Sequence, residues 1–226
     1  MGGSDVILII VIILIVWIYH WCFNHPNLET VSLSELLTKG KFKTGDLVLF
    51  KAVDNFNSPI IMSYYGHIGV VYVDPETKIP LIFEAANPTE MNLDECQNAN
   101  GIFISPLEDR VKLYKGYTFY KELERPLDSD VCTEFKTFID YCAANMKYET
   151  GVVSNGIKKC MGEPIGLRIN CGEIVFLSLI KLGLIPLDYY KKKSWHHLRW
   201  MCGIKDLSGG NWYREPVKIT YSPITS

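Results

Sequence analysis

The sequence predicts an α+β domain, with an antiparallel sheet and a buried cysteine-bearing helix, preceded by one N-terminal transmembrane helix. Three stretches carry that expectation. Every residue from Val6 to Tyr19 is apolar or aromatic, Gly66 to Ala85 reads as a β-hairpin, and Asn170-Cys171-Gly172-Glu173 opens an apolar helix. The chain has 226 residues, 48% hydrophobic and 21% charged, which is a globular composition with enough length for one sizeable core. A net charge of −2 leaves no basic footprint, so no nucleic-acid partner is expected.

The apolar run continues through Trp21, Cys22 and Phe23 past a single His20. That makes about 18 residues and roughly 27 Å of helix, just enough to span a bilayer. A cleaved signal peptide would carry a basic leader and small residues at the cut, whereas Met1 to Asp5 has no positive charge and the run ends in Tyr, His and Trp. Myristoylation at Gly2 would want serine or threonine where Val6 stands. Residues 1–23 are therefore expected to be a transmembrane anchor, with 24–42 a linker and lead-in helix and 43–226 the domain. Lys39, Lys41 and Lys43 follow the anchor and nothing basic precedes it, which by the positive-inside rule makes this a single-pass membrane protein with a cytosolic C-terminal domain. The seven cysteines, Cys22, Cys96, Cys132, Cys142, Cys160, Cys171 and Cys202, form no Cys-x-x-Cys pair or framework spacing, as suits a reducing compartment.

Gly66 to Val73 alternates and is rich in β-branched residues, and the chain returns as Lys78 to Ala85 after Asp74-Pro75-Glu76-Thr77. With a four-residue loop, Val73 pairs with Lys78 and His67 falls directly opposite Glu84 on one face. A carboxylate there would fix the imidazole tautomer and stabilise an imidazolium. The bland readings are a satisfied strand histidine and an edge-strand charge facing water.

Asn170 is a good N-cap, and Glu173 can close a capping box; Ile174, Val175, Phe176, Leu177, Leu179, Ile180 and Leu182 follow before Gly183. Cys171 thus sits in the first turn, where unpaired N–H groups and the positive end of the dipole favour thiolate, the nucleophilic form. Most free cysteines are small buried hydrophobes, and Cys171 could be another.

Elsewhere Met91 to Gly101 reads as a loop, while Ile102 to Ser105 and Leu113 to Tyr120 read as strands. A helix from about Asp130 to Met146 is capped by Asp128-Ser129, with Val131, Phe135, Phe138, Ile139, Cys142 and Met146 on one stripe. Lys191-Lys192-Lys193, His196, His197 and Arg199, interleaved with Trp195 and Trp200, could meet anionic headgroups or form a solvated surface. Adjacent His196 and His197 cannot both face one metal from a helix, and no acidic residue or cysteine stands at ligand spacing, so no metal or other cofactor is expected. Residues after Pro186 read as a tail of short elements.

Thr44-Gly45-Asp46-Leu47-Val48-Leu49-Phe50, Gly66-His67-Ile68-Gly69-Val70-Val71, Phe83-Glu84-Ala85 and Asn170-Cys171-Gly172-Glu173-Ile174-Val175, in that order, resemble the circularly permuted branch of the NlpC-like papain-fold superfamily. That branch includes YiiX-type permuted amidases, lecithin:retinol acyltransferase with its phospholipase relatives, and poxviral proteins. The resemblance runs from about Lys43 to Gly183. It implies a permuted papain-like fold in which His67 is the base, Glu84 its orienting group and Cys171 the nucleophile, with Gly45 and Asp46 structural. Glu84-Ala85 favours the amidase branch, whereas the acyltransferase branch has Asn-Cys-Glu-His where this chain has Asn170-Cys171-Gly172-Glu173. Lys147-Tyr148-Glu149 resembles a stretch preceding the cysteine in these proteins, and Gly151 to Arg168 would form one wall of the cleft. The implied activity is that of a membrane-anchored thiol hydrolase cleaving an amide or ester in a peptide, amide or lipid ester substrate, with the lipid bilayer as its other partner. The alternatives are a lipid acyl hydrolase or acyltransferase, or an inactive structural component of a membrane or virion.

Overall fold

The computed structural model describes residues 3–23, 28–52, 65–87, 100–149, 168–186 and 212–221. In chain order the elements are α1 (Gly3–Phe23), β1 (Thr30–Ser32), α2 (Leu33–Thr38), β2 (Leu47–Lys51), β3 (His67–Val73), β4 (Pro80–Ala85), β5 (Ile102–Pro106), α3 (Leu107–Leu113), β6 (Tyr117–Lys121), α4 (Ser129–Asn145), β7 (Lys147–Tyr148), β8 (Arg168–Ile169), α5 (Cys171–Lys181) and β9 (Val217–Thr220). The fold is α+β. Seven strands form one sheet in the order β1-β9-β6-β2-β3-β4-β5, antiparallel except for the β1–β9 pair, and β7 pairs with β8 in a separate parallel ribbon.

Alternation along the strands divides the core between the two faces of the sheet. On one, Leu47, Leu49, Ile68, Val70, Tyr72, Phe83 and Phe119 pack with Phe135, Ile139 and Cys142 of α4 and Ile174, Val175 and Leu179 of α5. On the other, Val48, Phe50, Val71, Ile82 and Tyr120 pack with Leu33 and Leu36 of α2 and Leu107 and Val111 of α3. Burial on both faces is why β2 reads as an unbroken apolar run rather than an alternating one.

Three expectations about the chain's layout change. Within the stretch 24–42 read as linker and lead-in helix, Thr30–Ser32 form an edge strand ahead of the helix Leu33–Thr38, so the sheet begins before residue 43. The strand expected over Leu113 to Tyr120 starts later, at Tyr117, because Leu107–Leu113 is a helix with Glu108 and Asp109 in its first turn and Arg110 and Lys112 in its last. The hairpin loop is six residues, with Val73 paired to Pro80 instead of Lys78. Asp74 accounts for the extra length: its Oδ1 accepts the N–H groups of Glu76 at 2.9 Å and Thr77 at 2.8 Å, and Lys78 takes a left-handed φ of 61° to exit. From the C-terminal tail, β9 inserts between β1 and β6.

Helix α1 carries outward-facing aliphatic side chains from Val6 to Val16. Among the described residues no helix is long and apolar enough to cross a membrane; the side chains described on α1 are those of Asp5 to Val16, about 18 Å of helix. The basic-aromatic cluster of residues 191–200, the loop of 91–99 and the cleft wall of 151–167 lie outside the described residues.

Gly45 and Asp46 turn the chain into β2 and hold it there. Gly45 has φ +95°, its N–H donates to Val71, and its carbonyl accepts from Tyr213 Oη at 2.8 Å. The fully buried Asp46 carboxylate accepts from Lys43 N at 2.7 Å, Tyr120 Oη at 2.7 Å and Leu123 N at 2.8 Å. Burial outweighs those bonds and raises its pKa from 3.8 to about 7. A carboxyl held above its unfolded value contributes stability that is complete below about pH 4 and lost as pH rises through 7. Asp46→Ala takes the acceptor from Lys43 N and Leu123 N and leaves Tyr120 Oη only its bond to Lys41 O, so urea denaturation at pH 5 is expected to show a loss of about 2–4 kcal/mol, with a smaller deficit at pH 8.

Candidate active site

Cys171 is placed by its own local sequence. Asn170 Oδ1 accepts from Glu173 N at 3.0 Å while Glu173 Oε2 accepts from Asn170 N at 2.9 Å, so the capping box read from the sequence is formed and the helix starts at the cysteine. Cys171 is half-buried, with the buried Ile174 and Val175 holding the helix against the sheet.

His67 opens β3. In the observed register Gly69, not His67, falls opposite Glu84, since Val70 pairs with Phe83. The two-residue slip preserves the face, so His67 and Glu84 meet diagonally instead of head-on. A methyl group on residue 69 would lie 2.7 Å from the Ile82 side chain and 3.3 Å from Glu84 Cβ, which explains a glycine at the position between them. His67 Nε2 and Glu84 Oε2 are 2.5 Å apart. Cys171, at the start of α5, lies near enough for its sulfur to act on the charge of the imidazole. The three residues singled out from the sequence, Cys171, His67 and Glu84, therefore come together in one cluster.

A fourth residue completes the cluster. Arg110 of α3 donates from Nε to Glu84 Oε1 at 2.6 Å and from Nη2 to Glu84 Oε2 at 3.3 Å. Its guanidinium lies 4.4 Å from the Phe50 ring centroid and 5.4 Å from that of Tyr114, and Phe50 also stands 5.5 Å from the His67 ring. The side chains of Glu84 and Arg110 are 0% and 8% exposed, against 19% for His67, so the cluster opens toward solvent at the histidine. Arg110 falls between the two stretches, Ile102 to Ser105 and Leu113 to Tyr120, that the sequence marks as strands. The available signal was an acidic first turn and basic last turn after Pro106, which marks a short helix.

Electrostatics follow from this layout. Burial alone would lower the His67 pKa, but the Cys171 sulfur, and after it Glu84, outweigh burial and push it from 6.5 up to about 9. Burial alone would raise Glu84, but His67 and Arg110 hold its carboxyl below the ordinary range. An imidazolium beside a sulfur at a helix N-terminus is a setting in which a cysteine can act as a nucleophile. Among the described residues no group of three or more His, Cys, Asp and Glu side chains is placed to hold a metal ion.

No family model matches the chain, and no curated protein does. Among solved structures it is similar to the crystal structure of metalloprotein YiiX from Escherichia coli O157:H7, at 18% identity over 77% of this chain and 87% of that one, with a TM-score of 0.37. A likeness at that level transfers neither residue roles nor a metal.

Held above its unfolded value, His67 adds stability that is complete below about pH 6.5 and lost as pH rises through 9. NMR titration of the His67 ring should give a midpoint well above 6.5, and Glu84→Gln should lower it. A midpoint at or below 6.5 in the parent would show that the ring does not feel the thiol and carboxylate together.

Proposed function

We propose that the protein is a membrane-anchored thiol hydrolase of amidase or peptidase type. One observation carries the proposal: His67, from β3, is hydrogen-bonded to the buried Glu84 of β4 and stands near the half-buried sulfur of Cys171 at the start of α5. Cys171 Sγ attacks an amide or ester carbonyl carbon. The thiol proton passes to or already resides on His67, which delivers it to the departing amine or alcohol, leaving a thioester. Water then attacks the thioester carbonyl and gives its proton to His67, releasing the acid and restoring the thiol. Glu84 keeps the imidazole in the orientation and charge state both steps need. The backbone N–H of Cys171 is the oxyanion donor, since residues in the first turn have no helical partner. This is the chemistry of the permuted NlpC-like papain-fold proteins, in their amidase branch.

The second reading is a lipid ester substrate, cleaved or transferred to an acceptor alcohol or amine instead of water. It is favoured by α1, 21 residues and about 31 Å long, whose described aliphatic side chains from Val6 to Val16 all face outward. That helix serves as the bilayer anchor, with the domain on the cytosolic side or on the inner side of a virion membrane. An inactive membrane or virion component would retain the fold without a reactive thiol.

Cys171→Ser should fold like the parent and lose hydrolysis by orders of magnitude across a panel of peptide amides and fatty-acyl esters. His67→Ala should behave the same way, and the double variant should lose little more because base and nucleophile act as a unit. Iodoacetamide should label Cys171 ahead of the other cysteines. Undiminished turnover in Cys171→Ser sinks the mechanism, and an unreactive Cys171 favours the inactive component. For the anchor, the full chain should float with lipid vesicles after alkaline carbonate washing while a chain lacking residues 1–23 stays behind. Protease added to the cytosolic face of sealed membranes should digest the domain; a fully protected domain would reverse the orientation read from Lys39, Lys41 and Lys43.

A further inference from the structure

We propose that Arg110 is a positioning residue of the thiol site, a fixed cation that keeps Glu84 ionised and aimed at His67 so that the imidazole can stay protonated beside the Cys171 sulfur. The inference rests on the hydrolase reading only for its purpose; the interaction it describes is a property of the folded protein.

The cluster alternates in sign when the thiol is ionised: thiolate, imidazolium, carboxylate, guanidinium. Each inner member is flanked by two opposite charges, and the four sum to zero. Without the guanidinium the same chain would hold one net negative charge in a site where Glu84 has no exposure at all. Desolvation makes an uncompensated buried charge unstable, and such a site takes up a proton instead. The groups facing Glu84 are His67 from β3 and Arg110 from α3, with the Tyr114 ring behind the guanidinium; Phe50 of β2 and Phe103, paired to Glu84 across β5, are apolar. If Arg110 were absent, the proton would fall on Glu84, and a neutral carboxylic acid no longer supports an imidazolium.

Geometry as well as charge is supplied. Nε and Nη2 engage the two different carboxylate oxygens, at 2.6 and 3.3 Å, which sets the plane of the carboxylate while Oε2 is shared with His67. The guanidinium lies against both Phe50 and Tyr114, at 4.4 and 5.4 Å from their centroids, the two rings themselves packed edge to face at 4.9 Å, a contact that suits a delocalised planar cation and suits an ammonium less well. Because Phe50 touches both the guanidinium and the imidazole, one β2 side chain sets the separation of the two cations.

The test is the NMR titration of His67 together with the rate of Cys171 alkylation by iodoacetamide, read by peptide mapping, in the full chain, Arg110→Met and Arg110→Lys. Arg110→Met is expected to lower the His67 midpoint by roughly one pH unit or more and to slow alkylation of Cys171 at pH 7. The sign is diagnostic, because removing a cation that merely sat near the imidazole would raise the midpoint. An unchanged or raised midpoint in folded Arg110→Met overturns the proposal. Arg110→Lys keeps the charge and loses the two-point grip and the contact of a planar cation with the Phe50 and Tyr114 rings, so its midpoint should fall between those of the parent and the methionine variant, with slower alkylation. Should Arg110→Met fail to fold, the lysine variant decides: parent-like titration and alkylation there overturn the positioning role. Neither measurement needs a substrate. A parent whose Cys171 reacts no faster than Cys132 and does not depend on His67 would defeat the hydrolase reading, while the effect of Arg110 on the His67 titration would still be read separately.

Discussion

A carboxylate with no access to water organises this structure. Glu84 lies on β4 in the middle of the hydrophobic layer between the sheet and α3, where an isolated negative charge would cost several kcal/mol. It is tolerable because His67 and Arg110 reach it from two directions. That requirement ties together parts of the fold that could otherwise drift: β3 must stay in register with β4, α3 must cross the sheet with Arg110 pointing inward, and β2 must present Phe50 beneath both cations. The site and the α3 side of the core are one packing problem. Loss of any partner would leave a buried charge as well as a missing contact, so stability and chemistry are coupled at this point.

The thiol is mounted independently. Helix α5 packs on the other face of the sheet, through Ile174, Val175 and Leu179, and only its first residue reaches the imidazole. Cysteine on one layer and histidine on another each gain a rigid support, and the half-buried cysteine and the partly exposed histidine come near each other where β3 begins. Asp46 does comparable work at the entry to β2, where its three hydrogen bonds join Lys43, Tyr120 and Leu123 and so hold β2 beside β6. Phe50, four residues on, inherits its position from that junction.

The legible parts of the site were those set by short-range rules. The capping box at Asn170 and Glu173 needs only residues three apart, and it formed as the sequence indicates. The helix over 129–145 carries its stripe at the helical period, and Phe135, Ile139 and Cys142 are its buried members. The hairpin was legible in kind and in the pairing of faces, but not in loop length, because the Asp74 side chain stabilises two more turn residues than a count of turn formers suggests. Parity protected the inference: a slip of two residues keeps His67 and Glu84 on one face, and a slip of one would have separated them.

By itself the sequence determined the mixed α+β class, the apolar N-terminal helix, the first-turn position of Cys171 and the shared face of His67 and Glu84. Each depends on periodicity or on neighbours a few residues apart, where the chain has little freedom to choose. Tertiary structure alone decided that Thr30 to Ser32 and Val217 to Thr220 belong to the sheet, and that Arg110 sits on Glu84. Those pairings span from 26 residues, in the case of Arg110 and Glu84, to most of the chain, for β1 and β9. No local pattern can announce a partner at that distance, because what selects it is the mutual burial of faces and the need to neutralise a charge once those faces have closed.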